Sequence, residues 1–303
     1  MDAITLIKAA RLRTLPLSVS GIIVGSALAY KEDIEVFSWA VMGLALLTTI
    51  FFQVLSNFAN DYGDGVKGTD NEHRLGPERA LQSGKISRAE MKKVVLISAV
   101  LSIISALVLL YVAFGKDQWL YFGIFFILGL LCVAAAIKYT VGRSAYGYRG
   151  LGDVFVFVFF GLVSVVGSYF LYTQKLEAVV FLPATAIGFL SVGVLNLNNM
   201  RDYENDKRSG KHTLVVKMGV ALGKYYHYYL IVLAMVAMLA FSVLRWQTGW
   251  QLLYWLSFPP LIVHLLTVKR NTSLQLLDKE LKKVALSTFL LSVLFFIGIL
   301  ISK

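Results

Sequence analysis

The chain is 303 residues long and 57% apolar, yet Asp, Glu, Lys and Arg together make up only 16% of it, against about 25% in an ordinary soluble domain. That shortage of charge excludes a typical water-soluble enzyme. The net charge of +11 is gathered into short stretches between apolar runs, which fits orientation in a membrane and attraction to anionic lipid rather than nucleic-acid binding.

Apolar runs of about 17 to 25 residues can each cross a bilayer core of roughly 30 Å as a helix. They predict nine spans, at 14–30, 36–59, 94–114, 118–137, 153–173, 178–200, 222–244, 250–268 and 284–301. The predicted fold is an all-α polytopic membrane bundle forming one domain over residues 1–303. Lys8, Arg11 and Arg13 precede the first span, and the cations then alternate between heavy and light connections. Of the 29 Lys and Arg, 24 fall on one side and 5 on the other. Because Lys and Arg accumulate on the cytoplasmic side, this places the N-terminus and the heavy connections inside, which requires an odd number of spans. A single cysteine, Cys132, excludes a disulfide framework and thiolate metal sites.

The second connection is the richest in polar groups. At 100° per residue Asn57, Asp61 and Asp64 fall within about 60° of one another, so three oxygen-bearing side chains share a helix face where the span ends. Carboxylates at a membrane boundary are costly unless a cation or a cavity compensates them. Asp70, Glu72, His73, Arg74 and Arg79 follow. The connection from Lys138 to Arg149 mixes cations with aromatic rings, as an interfacial belt also would. The sixth span then ends as the second did: Asn198, Asp202 and Asp206 are spaced i, i+4, i+8, with Arg201, Lys207 and Lys211 interleaved. The Asp motifs near 57–70 and 198–211 suggest a weak internal repeat of four spans. His227 and His264 lie in later spans and are read as structural.

Hard oxygen ligands suit Mg²⁺, which normally takes one or two carboxylates and lets a substrate phosphate complete its shell. Two such clusters facing each other would hold metal on either side of one diphosphate. Asp61, Asp64, Asp202 and Asp206 are the candidate catalytic metal ligands, with Asn57, Asp70 and Asn198 as further candidates. Asn60, Lys67, Arg74, Arg79, Arg201, Lys207 and Lys211 are candidate diphosphate contacts, Arg as a bidentate fork and Lys as a point charge.

The pattern Asn60-Asp61-x-x-Asp64, followed by Asp202-x-x-x-Asp206-x-x-x-Gly210-Lys211, resembles the paired aspartate motifs of the UbiA superfamily of intramembrane prenyltransferases. Within it, Arg11-x-Arg13-Thr14-Leu15-Pro16, Arg74-x-Gly76-Pro77-x-Arg79-Ala80 and Tyr146-Gly147-Tyr148-x-Gly150-Leu151-Gly152-Asp153 are similar to the 1,4-dihydroxy-2-naphthoate polyprenyltransferases of menaquinone synthesis. The resemblance covers about residues 9 to 219. Gly68 stands where the superfamily often has Asp, with Asp70 displaced by two, and Leu12 stands where the branch commonly has Pro.

The resemblance implies Mg²⁺-dependent transfer of a polyprenyl group from its diphosphate to an aromatic acid, with loss of diphosphate and CO₂. It also implies a bacterial cytoplasmic membrane, and it raises Tyr139, Arg143 and Tyr146 as contacts for the anionic acceptor. Other acceptors, of the 4-hydroxybenzoate or homogentisate type, are the alternative within the same chemistry. An ion-coupled transporter is the alternative outside it, although transporters place ionisable groups near the bilayer midplane and here they sit at helix ends.

Overall fold

The computed structural model describes residues 3–72 and 74–302; His73 lies outside them. Among the described residues there is no strand, and nine helices are long and apolar enough to span a bilayer. They are α1 (Ala3–Glu32), α2 (Trp39–Lys67), α3 (Arg88–Phe114), α4 (Trp119–Lys138), α5 (Gly152–Thr173), α6 (Ala178–Arg201), α7 (Val220–Leu244), α8 (Gly249–Arg270) and α9 (Leu274–Ser302).

All nine predicted spans are present. Four helices, α1, α2, α3 and α9, run well past their apolar stretch at the end that carries the heavy connections. Of these, α2 has 29 residues, about 43 Å at 1.5 Å per residue. Its last turns therefore extend beyond a hydrocarbon core and carry Asp61 and Asp64. Ser38 caps its start by accepting from the Val41 N–H, and Gly68, at φ 74°, ends it in the left-handed conformation. A capping box of Ser87 and Glu90 starts α3.

The helix α1 is broken at Arg11, which has φ 53°, so a short amphipathic segment precedes the span proper. The helix α5 departs from the simple expectation: between two α-helical ends, Phe157–Val166 is π-helical. It is packed tightly against α6, where a Cβ on Gly161 would come within 2.7 Å of both the Ala184 carbonyl oxygen and Gly188 Cα. Small residues allow that approach, as they do between helices in lipid.

Buried apolar side chains form two clusters. The larger joins α1, α5, α6, α7 and α9 through residues such as Val24, Val165, Ile187, Ile231 and Leu291. The smaller joins α2, α3 and α4 through Leu55, Met91, Val95 and Val133. Leu96, Ile97, Val100 and Ile104 on α3 and Leu120 and Ile127 on α4 are exposed. Such a continuous apolar surface is stable facing lipid and not water.

The two histidines read as structural are buried in one hydrogen-bonded chain. His227 Nε2 lies 2.6 Å from His264 Nε2, whose Nδ1 lies 2.6 Å from Glu280, and Lys283 donates to the same carboxylate at 2.7 Å. This chain ties α7, α8 and α9 together.

Candidate active site

The polar ends of α2 and α6 face each other across the head of a cavity of about 390 Å³ that continues into the bundle between the two apolar clusters. Beyond Gly68 the chain folds back on α2, and the N–H groups of Thr69 and Asp70 both donate to the Asp64 carbonyl. This reversal buries Asp70 at the cavity and returns Arg74 and Arg79 over the carboxylates. From the other side, a short helix over Tyr203–Arg208 follows α6 and brings in Asp206 and then Lys211. Three contacts join the halves: Lys211 Nζ to Asp64 at 3.4 Å, Arg74 to Asp202 at 3.5 Å, and Asn205 Nδ2 to the Thr69 carbonyl at 2.9 Å.

Charge is dense and nearly dry here. Asp61 is 1% exposed and pairs with Arg11 and, at 3.6 Å, with Arg79. Arg74 Nε reaches Asp70 at 3.2 Å, while Arg79 Nε stands 3.9 Å from it. Arg79 Nε and Asp70 Oδ2 are both buried without a hydrogen bond. An unsatisfied donor and an unsatisfied acceptor side by side are costly, and they suit a ligand that brings both anionic oxygens and cations.

The titration behaviour points the same way. Burial, with Asp64 close by, pushes the Asp70 carboxyl up to about 6. Burial pushes Asp206 up to about 7 although Lys211 opposes it, and Asp202 and Asp64 add to the rise. Burial works against the Asp202 carboxylate too, but hydrogen bonds from Arg201 outweigh it and hold its pKa below the usual range. For Lys211, burial is outweighed by Asp64 and Asp206, which keep the ammonium charged.

The donor set fits a divalent cation. Its oxygens are hard, and Asp70 Oδ2 has no other partner. Among the described residues no three Asp, Glu, His or Cys converge into a ready cage. An ion held here therefore takes one or two carboxylates and completes its shell with substrate oxygen and water, the common arrangement for Mg²⁺.

Away from the charges the wall turns aromatic. The Tyr139 and Tyr146 rings meet edge to face at 5.3 Å, and Tyr146 stacks on Phe155 at 3.9 Å. Burial pushes both phenol groups above the ordinary tyrosine pKa, so they stay neutral. Phe52, Phe125, Phe159 and Phe160 continue the lining.

Most predicted positions reach this cavity and some do not. Asn57, Asn60, Asp64, Asp70, Arg74, Arg79, Tyr139, Tyr146, Asn198, Asp202, Asp206 and Lys211 line it, and Asp61 lies directly behind Arg11 and Arg79. Two of the asparagines are occupied with protein groups: Asn57 Nδ2 donates to the Ala10 carbonyl at 2.8 Å, and Asn198 Oδ1 accepts from Arg201 at 2.8 Å.

Four cations depart from expectation. Lys67 is exposed, with its ammonium 3.7 Å from the Tyr148 ring centre. Lys207 is exposed beside Tyr203. Arg201, only 1% exposed, spends its guanidinium on Asp202 at 2.7 and 2.9 Å and on Asp278 at 2.5 Å. Arg143 is exposed and outside the lining.

The description "UbiA prenyltransferase family" matches residues 18–300. The chain belongs to that family. It is 42% identical over 294 residues to the 1,4-dihydroxy-2-naphthoate octaprenyltransferase of Haemophilus influenzae, covering 96% of this chain and 94% of that one. The protein of the same name from Escherichia coli is 42% identical over 293 residues, covering 97% and 94%. Among solved structures, a UbiA homolog from Archaeoglobus fulgidus bound to GPP and Mg2+ superposes with a TM-score of 0.70 at 15% identity, covering 98% of this chain and 99% of that one. The all-helical fold is therefore the UbiA fold.

In this UbiA-family chain the site also includes residues to which sequence reasoning gave no role. Arg11 binds Asp61 from the break in α1, and Tyr148 donates to Asp64 at 2.7 Å while sharing a hydrogen bond with Thr69. Arg11 and Tyr148 stand inside quoted motifs, which was the available signal. Asp278 has no motif around it.

Proposed function

We propose that this UbiA-family prenyltransferase transfers a polyprenyl group from polyprenyl diphosphate to 1,4-dihydroxy-2-naphthoate, releasing diphosphate and CO₂ and giving a demethylated menaquinol. The observation that carries the reading is the pair of unsatisfied groups, Arg79 Nε and Asp70 Oδ2, at the charged head of an apolar cavity. Near-full-length relatives with the naphthoate activity in their names support the acceptor.

Arg74, Arg79 and Lys211 hold the diphosphate, with Asn60 beside them. Asp64, Asp202 and Asp206, with Asp70 able to join them, line the space where one or two carboxylates at a time would hold Mg²⁺, and Asp61 would join on release from Arg11 and Arg79. The ion when bound offsets the charge of the leaving group. The prenyl tail lies along the apolar lining. As the allylic C–O bond breaks, the Tyr139, Tyr146 and Phe155 rings face the developing carbocation, each such contact contributing about 0.5–2 kcal/mol. Neutral phenols offer no competing nucleophile. The acceptor's carboxyl-bearing ring carbon attacks the prenyl carbon, and loss of the carboxyl group as CO₂ restores aromaticity.

An assay of purified protein with Mg²⁺, a panel of polyprenyl diphosphates, and naphthoate, 4-hydroxybenzoate and homogentisate acceptors tests the reading by mass spectrometry. Prenylated, decarboxylated naphthoate is the expected product. Product from 4-hydroxybenzoate or homogentisate alone would move the chain to another acceptor branch.

The acceptor contacts are assigned to Tyr139 and Tyr146. Tyr146→Ala is expected to raise the acceptor KM about tenfold or more and the prenyl diphosphate KM much less, because it removes ground-state contact with one substrate. Arg143→Ala, at an exposed site, should change either KM by no more than about twofold. A large acceptor effect in Arg143→Ala with none in Tyr146→Ala would return the acceptor to the rim.

The orientation follows from the cation bias, with the N-terminus and the site cytoplasmic in a bacterial inner membrane. Cysteines introduced as Lys175→Cys and Arg208→Cys, both exposed, should be labelled by an impermeant maleimide from opposite sides of the membrane, 208 from the cytoplasm. Labelling of 175 from the cytoplasm would invert the topology.

A further inference from the structure

At the opposite end of the bundle from the carboxylates, a second, polar hollow of about 360 Å³ opens between the ends of α1, α5 and α7 and the start of α6. Its groups play no part in the chemistry above, and several are short of partners. The Tyr169 hydroxyl belongs to a residue only 1% exposed and lines this hollow. The hydroxyl makes no hydrogen bond of ordinary geometry, with Thr173 and Glu177 the polar side chains close to it. Lys31 donates to the Arg245 carbonyl at 3.0 Å, and Arg245 itself pairs with Glu177. Among the described residues neither Lys31 nor the exposed Glu32 forms an ion pair within 4 Å. The hollow thus presents an ammonium with one hydrogen bond and no counter-charge, a hydroxyl without a partner and a carboxylate without an ion pair.

Leu176, Val243 and Leu244 beside it are each at least 67% exposed, at the level where the spans end. Such side chains suit acyl chains and not water. We propose that this hollow seats the headgroup of a phospholipid carrying both a phosphate and a primary ammonium. The phosphate takes Lys31 and the Tyr169 hydroxyl, and the ammonium takes Glu32. A purely anionic headgroup would leave Glu32 against like charge, and a quaternary ammonium has no N–H to donate. The flanking apolar residues select a lipid over a soluble phosphoamine.

Native mass spectrometry of the delipidated full-length protein, titrated with phosphatidylethanolamine, phosphatidylcholine or phosphatidylglycerol, tests this. Phosphatidylethanolamine is expected to bind about tenfold tighter than either other lipid, and Lys31→Gln and Tyr169→Phe should each erase most of that preference. Prenyl transfer in detergent should be unchanged in both variants. Glu32→Gln, at an exposed position, repeats the test where either of those fails to fold, and it should erase the preference over phosphatidylcholine. Equal binding of the three lipids would overturn the assignment. So would tightest binding of phosphatidylglycerol, a preference that survives all the folded variants, or soluble phosphoethanolamine competing as well as the lipid does.

Discussion

Asp64→Asn and Asp202→Asn are each expected to lower prenyl transfer by at least about 10³-fold, roughly 4 kcal/mol of barrier. The substitution keeps the shape of the side chain and removes only its charge. Asp64 is placed for this role by three independent elements: the end of α2, Tyr148 from the connection between α4 and α5, and Lys211 from beyond α6. Asp202 is gripped at both oxygens by Arg201, which fixes its direction. An amide in either place cannot offset the charge of a bound metal ion, so the leaving group loses its stabilisation where it is largest. Circular dichroism in detergent should show both variants folded, with the thermal midpoint lowered where the amide leaves Arg201 or Lys211 short of a buried counter-charge. Near-normal turnover by both folded variants would remove these carboxylates from the reaction.

Arg201→Met is expected to destabilise the protein by about 3–5 kcal/mol, the usual consequence of removing one partner from a buried ion pair. The guanidinium is surrounded by Asp202, Asp278 and Asn198, and without it Asp202 keeps only the longer contact to Arg74 at 3.5 Å and Asp278 only that to Arg13 at 3.8 Å. Asp278→Asn should cost much less, since the Asp278 side chain is 37% exposed and water can replace the lost contact. The double variant should recover part of the loss, because the two effects share one interaction. Thermal unfolding of the four proteins in one detergent measures this. A midpoint for Arg201→Met within the scatter of wild type would show that the pair holds nothing in place.

The spans and the paired carboxylates were legible because both depend on local pattern. A run of apolar residues has to cross lipid, and i, i+4 spacing has to share a face. The cations were read less well because proximity in sequence does not say where a side chain points. Lys67 is six residues from Asp61, which on a helix is about 120° away, and it projects to the rim. Arg201 does share the face of Asn198, but Asp278, which occupies it, comes 77 residues later with no local signal. Asp70 is the reverse case. Its displacement by two from the family spacing weakens the reading of it as a direct metal ligand and leaves it a further candidate, and the structure puts it at the cavity because Gly68 ends the helix and the chain reverses there.

The π-helical stretch of α5 leaves its mark on the geometry of the cavity wall. The lining residues of this helix are Phe155, Val156, Phe159, Phe160, Val163, Ser164, Gly167, Ser168 and Leu171, a repeat of four residues held across almost the whole span. On a regular α-helix four residues turn through 400°, so each step would swing the row a further 40° around the axis. By Leu171 the row would have left the cavity. A π turn closes over one more residue, so each residue advances through a smaller angle, and across Phe157–Val166 the accumulated rotation is wound back. The result is a straight rail instead of a spiral, with ring-bearing side chains toward the charged head and glycine, serine and leucine further along. A linear hydrocarbon can lie on such a rail at full extension without following a curved path, and lengthening it by one isoprene unit shifts its far end along the same line.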